Sequence, residues 1–380
     1  MERVWTGAIP AGVPVEHDVS HYEANCESLA TLLEQSLRAH ANACAFVCMG
    51  RELSYAELDA RSRHLAGWFQ MQGLERGARI AVMLPNLLQF PIALVAIVRA
   101  GYVAVNVDPH CAALELEHRL ADSGAQAIVL LDTSLATLRA VRASTAIRHA
   151  VVTSASEMVG ARGPALAGEN GGMACIGFFA AAAEGAEAGF SPVRLTAGDT
   201  AVLQYGCAAS GAWKSVTLLH RHLIANLLQW QACCEPAHPW RTEIDQPATV
   251  VALPHQNLFG LTMCCLLTMR RGGLGILMPD PSDVPGMIRA LRGYRVQAFA
   301  GIETIYEALS SEPEFAALDF TQLVPVPASR LALHGCGLES HAGAPEPIDP
   351  ARLGTWRGEG LEPALQPCVF RMLPSTINRL

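Results

Sequence analysis

The sequence lacks any run or stripe of Lys and Arg. Its formal net charge is −8 and its pI is near 5.9, whereas general nucleic-acid binders concentrate positive charge to neutralise phosphates. It also lacks an apolar run of the roughly 20 residues that a membrane-spanning helix needs. Its longest apolar runs, 87–100 and 258–269, are expected to pack inside the protein. A general nucleic-acid binder is therefore excluded, and contact with the periphery of a membrane remains the alternative for the apolar surface.

The chain has 12 cysteines but no CxxC spacing. No His pair accompanies them either, so the usual ligand pattern of a tetrahedral zinc site is missing and we expect no metal ligands. The opening residues MERVWTGAIP do not have the charged and then apolar layout of a signal peptide. We therefore expect a cytoplasmic protein with reduced thiols. The pairs Cys233-Cys234 and Cys264-Cys265 lie in apolar helical runs and are expected to be buried.

Short β-branched runs alternate with longer helical patterns along the 380 residues. This alternation is typical of βαβ units around a parallel sheet, and an apolar content of 51% is enough for a large core. We therefore predict an α/β fold of stacked βαβ subdomains with mainly parallel sheets. Strands are predicted at 78–84, 102–108, 125–132, 201–205, 249–254 and 273–279, and helices at 86–100, 114–124, 223–234, 258–269 and 285–294. Gly101 and Gly124 suit helix ends, where a left-handed residue costs least without a Cβ.

The pattern divides the chain into four segments. Residues 1–153 are predicted to form a first α/β subdomain, and 196–323 a second α/β region. Between them, 154–195 is rich in Ala and Gly without a clear period, so we interpret it as an irregular connection. Residues 324–380 are crowded with Pro, Gly, Ala and Arg and keep no period of 2 or 3.6, which is typical of a tail that does not fold.

Four collinear segments carry a family resemblance. They are LPNLLQFPIALVAIVRAGYVAVNVDP, LEHRLADSGAQAIVLLD, DTAVLQYGCAASGAWKSVTLLHRHLIANLLQ and LRGYRVQAFAGIETIYEALSSEPEFAALDF. Together they resemble the long-chain fatty acyl-CoA synthetases of the adenylate-forming, AMP-binding superfamily. The resemblance runs from about Val4 to Leu323, so it is far more specific than any single motif. It implies an N-terminal region of stacked α/β subdomains, followed in relatives by a small mobile domain that carries a catalytic lysine.

The resemblance also implies a reaction and its ligands. ATP and a fatty acid would give an acyl-adenylate and pyrophosphate, and coenzyme A would then take the acyl group. Magnesium would accompany the ATP. Fatty acid and coenzyme A are thus the implied partners, and self-association into a homo-oligomer is compatible with the apolar surface.

The stretch QYGCAASGAWKSV lines up with the phosphate loop of such enzymes. Relatives read TGGTTGxxKG there, where hydroxyls, backbone N–H groups and a lysine surround the triphosphate. Ser210, Gly211 and Lys214 keep that register and are the implied ATP-binding residues. Cys207, Ala208 and Ala209 stand where relatives have Gly, Gly and Thr. Ala and Cys offer no strong donor and restrict positive φ, so we expect weakened triphosphate binding. A plain surface loop is the alternative, whereas a hydrolase nucleophile at Ser210 is disfavoured because the flanking glycines of GxSxG are missing.

A second family motif lies at ALPHQNLFGL, 252–261. Relatives read LPLYHxF and place an aromatic-histidine pair beside the acyl and coenzyme A channels. Asn257 stands in the position of that histidine, Gln256 replaces the aromatic residue and Phe259 keeps the frame, so Asn257 and Phe259 are the implied substrate-binding residues. His255 is out of register and is interpreted as an ordinary polar residue at a strand end.

Two further apolar stretches and one polar cluster complete the candidates. The helix at 258–269 and the segment 298–309 line up with the flanks of the fatty acid tunnel in relatives, and ordinary core packing is the alternative for both. His220, Arg221 and His222 open the helix after the phosphate loop and are expected to be solvated polar residues rather than catalysts.

The sequence after Leu323 departs from the family pattern. It contains no YGxTE glutamate for magnesium, no TGD aspartate for ribose and no C-terminal lysine, and its composition resembles a GC-rich coding sequence translated in the wrong frame. Adenylyl transfer depends on positioning and electrostatics, so we expect a catalytically impaired, truncated ligase with no assigned catalytic residue. The alternative is a non-catalytic fatty acid-binding or partner protein on the same scaffold.

Overall fold

A computed structural model describes residues 28–161, 163–164, 166, 172–207, 213–237, 246–301 and 303–318. Within these residues the chain forms two β-sheets with helices packed on them. The predicted α/β fold with mainly parallel sheets is confirmed. The predictions for residues 1–27, for the loop 208–212 and for the tail 324–380 concern residues outside the described ones.

The larger sheet has seven strands in the order β7-β6-β5-β3-β4-β8-β9. Its strands are β3 (Arg79–Met83), β4 (Val103–Asn106), β5 (Ala127–Leu131), β6 (His149–Thr153), β7 (Ala174–Gly177), β8 (Thr200–Cys207) and β9 (Trp213–Leu219). All neighbours are parallel except β8 and β9, which form an antiparallel pair at one edge. The carboxyl ends of the parallel strands therefore lie along one edge of this sheet.

The smaller sheet has five strands in the order β12-β10-β11-β1-β2. Its strands are β1 (Cys44–Cys48), β2 (Arg51–Ser54), β10 (Ala248–Val251), β11 (Leu274–Leu277) and β12 (Val296–Ala300). Only the hairpin of β1 and β2 is antiparallel. The sequence thus leaves this sheet after β2, completes the larger one and returns at β10.

Helices cover both sheets. In chain order they are α1 (Leu29–Ala39), α2 (Tyr55–Met71), α3 (Gln89–Arg99), α4 (Ala113–Ser123), α5 (Leu135–Val141), α6 (Phe178–Ala188), α7 (His220–Ala237), α8 (Thr268–Arg270), α9 (Val284–Leu291), α10 (Glu303–Ser310) and α11 (Pro313–Ala316). Helix α3 is buried on every side, which is why its sequence is almost wholly apolar. Gly101 (φ 79°) and Gly124 (φ 59°) follow α3 and α4 in the left-handed region, as predicted.

A buried ion pair joins the first three helices. The Arg99 side chain is 1% exposed and lies 2.7 Å from Asp59 and 3.7 Å from Glu34. Arg99 also donates to the backbone oxygen of Asp59 and to Ser62 Oγ. Burial by itself would raise the pKa of Asp59, but hydrogen bonds from Arg99 and Arg63 outweigh it and hold that pKa below its ordinary value.

The segment predicted as an irregular connection contains regular structure. Strand β7 pairs with β6 at the sheet edge, and the 11-residue helix α6 follows it directly. The interpretation of 154–195 as irregular is therefore wrong over Ala174–Ala188. Alanine and glycine are so frequent in α6 because the helix packs closely against α2, and small side chains carry too little hydrophobic contrast to show a period.

The contact between α2 and α6 depends on two glycines. A Cβ on Gly185 would collide with the backbone oxygen of His64 and lie 2.6 Å from the nitrogen of Trp68, while a Cβ on Gly67 would lie 2.6 Å from the oxygen of Gly185. Because backbone cannot move aside as a side chain can, we expect Gly185→Ala to lower the free energy of unfolding by about 2 kcal/mol, as overpacking does.

Urea unfolding measures this effect, and Ala183→Gly in the same helix is the matched control. It removes a methyl group rather than adding one, so it should cost only the helix propensity of alanine, about 1 kcal/mol. A Gly185→Ala variant as stable as the parent protein would show that α2 and α6 are not in such close contact.

Candidate active site

The hairpin of β8 and β9 carries the sequence that resembles a phosphate loop. Gly206 pairs with Lys214 across the hairpin, so Lys214 lies beside the carboxyl end of β8, and its side chain is exposed. Ligands of open parallel α/β sheets bind at the carboxyl ends of the strands. The structure therefore puts Lys214 at the edge where a nucleotide would be expected. Ser210 and Gly211 fall in the loop 208–212, outside the described residues.

The carboxyl edges of the two sheets meet beside this hairpin. Asn86, which follows β3, donates from Nδ2 to the backbone oxygens of Val251 and Leu253, both at 3.0 Å. Asn86 Oδ1 accepts a hydrogen bond of 2.9 Å from the His255 backbone nitrogen. One buried amide from the larger sheet therefore holds the end of β10 in the smaller sheet.

A second amide makes the same kind of connection. Gln204 of β8 donates from Nε2 to the backbone oxygen of Gln256 at 2.8 Å, and Asn106 at the end of β4 donates to Gln204 Oε1 at 3.1 Å. Asn86, Asn106, Gln204 and residues 253–257 together form what we call the carboxyl seam. The seam places the motif LPHQNLF on the same side of the protein as the phosphate-loop hairpin.

The candidate residues of that motif have different environments. Asn257 is exposed, and its Oδ1 accepts a hydrogen bond of 2.9 Å from the Phe259 nitrogen, so this side chain stabilises the start of the following helix. Phe259 is buried in the main hydrophobic core. The structure therefore keeps the two candidates close in sequence and space, with Asn257 facing outward and Phe259 facing the interior.

The environment of His255 differs from the one predicted from the sequence. It is fully buried rather than an ordinary polar residue at a strand end, and its ring lies against Phe90 with the ring centres 4.8 Å apart. Neither ring nitrogen has a hydrogen-bond partner among the described residues. Burial lowers the pKa of His255 to about 3, so the imidazole is neutral at physiological pH.

The environment of His220 also differs from its prediction. Helix α7 begins at this residue, as predicted, but His220 is buried rather than solvated. Its Nδ1 accepts a hydrogen bond of 3.0 Å from the Leu29 nitrogen, and burial lowers its pKa to about 4. His220 thus ties the start of α1 to the start of α7, while Arg221 is exposed as predicted.

The apolar stretch after the motif is not an ordinary α-helix. Residues Gly260–Leu267 form a wide π-helical segment with every residue buried, and α8 continues it. A Cβ on Gly260 would collide with the backbone oxygen of Pro254, so glycine allows the segment to fold back on the turn before it. π-Helical segments are often found at functional sites. Cys264 and Cys265 are buried here with free thiols, as predicted, whereas the side chains of Cys233 and Cys234 lie outside the described residues.

The described residues hold neither a metal cluster nor a membrane helix. Within them, no group of three or more His, Cys, Asp or Glu side chains could bind a metal ion. No described helix is long and apolar enough to cross a bilayer.

The sequence profile of a family described as AMP-binding enzyme matches residues 33–361. The chain belongs to this family. This match extends beyond Leu323, so the resemblance continues past the residue at which the sequence analysis expects it to end. In this AMP-binding chain, the carboxyl seam and the exposed Lys214 lie where the parallel sheets present their carboxyl ends.

Curated relatives of this AMP-binding chain are long-chain-fatty-acid–CoA ligases. The protein of Escherichia coli O157:H7 is 37% identical over an alignment of 336 residues that covers 85% of this chain and 58% of the relative. The protein of Yersinia pestis is 36% identical with the same two shares. The protein of Bacillus subtilis (strain 168) is 25% identical, again over 85% and 58%. The chain thus spans less than two thirds of the length of these relatives.

Solved structures confirm the fold of the family's N-terminal region. A putative long-chain-fatty-acid CoA ligase from Rhodopseudomonas palustris aligns with a TM-score of 0.64 at 18% identity, covering 78% of this chain and 69% of that one. The anthranilate CoA ligase AuaEII in complex with anthranoyl-AMP also gives 0.64, at 16% identity, covering 78% and 54%. At these identities the likeness concerns the fold alone.

Sequence reasoning missed the amides that build the carboxyl seam. Asn86 and Gln204 are isolated polar residues at or just after strands whose neighbours are apolar. A polar side chain in such a position has to find hydrogen-bond partners once it is buried. That signal could have identified both residues as tertiary contacts, although it could not have named their partners in the other sheet.

Proposed function

We propose that this chain is the acid- and nucleotide-binding part of a long-chain fatty acid–CoA ligase whose adenylation activity is severely impaired. The placement of Lys214 at the carboxyl edge, beside the carboxyl seam, is the observation that carries the proposal. ATP would bind over the β8–β9 hairpin, with Ser210, Gly211 and Lys214 toward its phosphates. The fatty acid would enter beside Asn257 and Phe259.

The impairment follows from the chemistry of the loop. Lys214 retains a positive charge that can offset developing negative charge on the phosphates. Gly206, Cys207, Ala208 and Ala209 stand where relatives have Thr, Gly, Gly and Thr, so the loop has lost donors and glycines together. Each charge-assisted hydrogen bond contributes about 1.5–3 kcal/mol, and every 1.4 kcal/mol is about tenfold in affinity. The loss of a few donors therefore weakens triphosphate binding by orders of magnitude.

Magnesium and coenzyme A belong to the proposal only as the family implies them. Magnesium would supply positive charge to the phosphates when bound. Coenzyme A would take the acyl group in a second step, in which the thiol sulfur attacks the acyl carbon and AMP leaves.

Release of pyrophosphate from ATP, with palmitate as the acid, tests the proposal. We expect a rate at least 100-fold below that of the full-length Escherichia coli relative under the same conditions, falling further in Lys214→Ala. Restoring the loop with Gly206→Thr, Cys207→Gly, Ala208→Gly and Ala209→Thr should raise the rate at least tenfold, because donors and glycines return together.

The restored loop combined with Lys214→Ala is the matched control and should lose that gain. A parent chain as fast as the full-length relative would refute the impairment. No pyrophosphate from any variant, together with fatty acid binding that ignores ATP, would instead favour a non-catalytic fatty acid-binding protein.

A further inference from the structure

We propose that Asn86 is a positioning residue for the acid substrate, acting through the backbone of residues 253–257. This inference rests on the proposed function, since it takes Asn257 to border the acid site. Asn86 itself lies on the other sheet and is almost fully buried. Its effect on the substrate would come entirely from the turn that it holds.

Asn86 forms hydrogen bonds with three backbone groups at the end of β10 and in that turn. Its two Nδ2–H groups point to Val251 O and Leu253 O, and its Oδ1 takes the N–H of His255. These three groups come from the strand end and the first residues after it. A single planar amide therefore fixes both the direction in which β10 ends and the point at which the chain turns.

The side chains of the turn cannot replace this clamp. Pro254 has no backbone N–H to give, neither ring nitrogen of His255 has a described partner, and Gln256 Oε1 also has none within the described residues. Among the described residues, the other side-chain bond from the larger sheet to this backbone runs from Gln204 Nε2 to Gln256 O. The bond from Asn257 N to Pro254 O lies within the turn, so these two amides supply the described side-chain hydrogen bonds that attach the turn to the larger sheet.

The requirement for asparagine is chemical. An aspartate of the same shape keeps the acceptor for His255 N but loses both donors and turns a carboxylate toward two carbonyl oxygens. Alanine removes the Asn86 bonds to Leu253 O and His255 N and one of two bonds to Val251 O, which still accepts from Met278 N, and buried polar groups are costly to leave unpaired. Serine keeps one donor and one acceptor, so it is the mildest of these changes.

The test compares Asn86 with a nearby amide that does not touch the turn. Gln89 is equally buried, but its Nε2 donates to Thr153 Oγ1 and to the Ser154 oxygen. Binding of the fluorescent fatty acid cis-parinaric acid and the midpoint of thermal unfolding are measured for Asn86→Ala, Asn86→Asp, Asn86→Ser and Gln89→Ala. We expect the Kd for the fatty acid to rise at least tenfold in the first two and a few-fold in Asn86→Ser. Gln89→Ala should lower the melting midpoint while changing Kd less than twofold.

Equal changes of Kd in Asn86→Ala and Gln89→Ala, at equal losses of thermal stability, would overturn the proposal, because Asn86 would then act on stability alone. Hydrogen exchange of the amides of 253–261 gives a readout independent of ligand. We expect faster exchange there in Asn86→Ser and not in Gln89→Ala, and unchanged exchange would also overturn the clamp. Absence of fatty acid binding in the parent chain, with faster exchange in Asn86→Ser, would refute the proposed function and leave the clamp standing.

Discussion

Asp59→Ala is expected to lower the free energy of unfolding by about 3 kcal/mol, because removing one partner of a buried pair leaves the other charge uncompensated. The remaining charge would be that of Arg99, whose side chain is 1% exposed. Glu34 lies farther away, at 3.7 Å, and replaces the lost partner only in part. Urea unfolding at pH 7.5 measures the difference.

The double variant separates the ion pair from the packing around it. Asp59→Ala combined with Arg99→Met removes both charges and keeps an unbranched apolar chain in the space, so it should recover most of the loss. Arg38→Ala is the control, since Arg38 pairs with Glu34 on the surface and such pairs contribute about 0–1 kcal/mol. If Asp59→Ala lowers the free energy of unfolding no more than Arg38→Ala does, or if the double variant is the least stable of all, then Asp59 does not stabilise the buried charge of Arg99.

Arg99 also shows where sequence reasoning succeeds and where it stops. The helix at 86–100 was predicted from its apolar run, and the structure has it at Gln89–Arg99. A single arginine at the end of such a run is typical of an exposed helix end, where cations favour the dipole. Its burial depends on Asp59, a residue 40 positions away in α2, and no local pattern reports a contact of that kind.

For the candidate site, too, part could be predicted from the sequence and part could not. The order of strands and helices around Lys214 could be predicted because alternation of the two periods is local information. The carboxyl seam could not, because Asn86 and Leu253 are 167 positions apart in the sequence. The π-helical form of Gly260–Leu267 could not be predicted for another reason. An apolar run that is buried on all sides looks the same in sequence whatever the helical period.

The two buried histidines make the protein sensitive to acid. The ordinary pKa of histidine is 6.5, whereas burial lowers that of His220 to about 4 and that of His255 to about 3. Below pH 6.5 the unfolded chain therefore binds protons that the native protein does not, so stability falls as the pH falls. From pH 7.5 to pH 5 each histidine should cost about 2 kcal/mol, and the two together about 4 kcal/mol.

The size of these losses does not depend on how far below pH 5 each native pKa lies. Both native pKa values lie below 5, so at pH 5 the native histidines are still neutral and only the unfolded chain has titrated. Glu157 acts in the opposite direction, because burial raises its pKa and the native protein then binds a proton earlier than the unfolded chain. A Glu157→Gln variant should therefore show a loss at least as large as that of the parent.

Urea unfolding at pH 7.5 and pH 5 tests this account with His255→Leu and His220→Gln. Leucine is what relatives have in the LPLYHxF position of His255, and it removes two ring nitrogens that lack described partners. Each variant should reduce the loss between the two pH values by about 2 kcal/mol. The double variant should keep only the share of His149 and His222, whose pKa values burial also lowers, and His118→Gln at an exposed position should show the same loss as the parent. A loss as large in the double variant as in the parent would mean that other groups carry the acid response, and no loss in the parent chain would mean that His220 and His255 are protonated as easily in the native protein as in the unfolded chain.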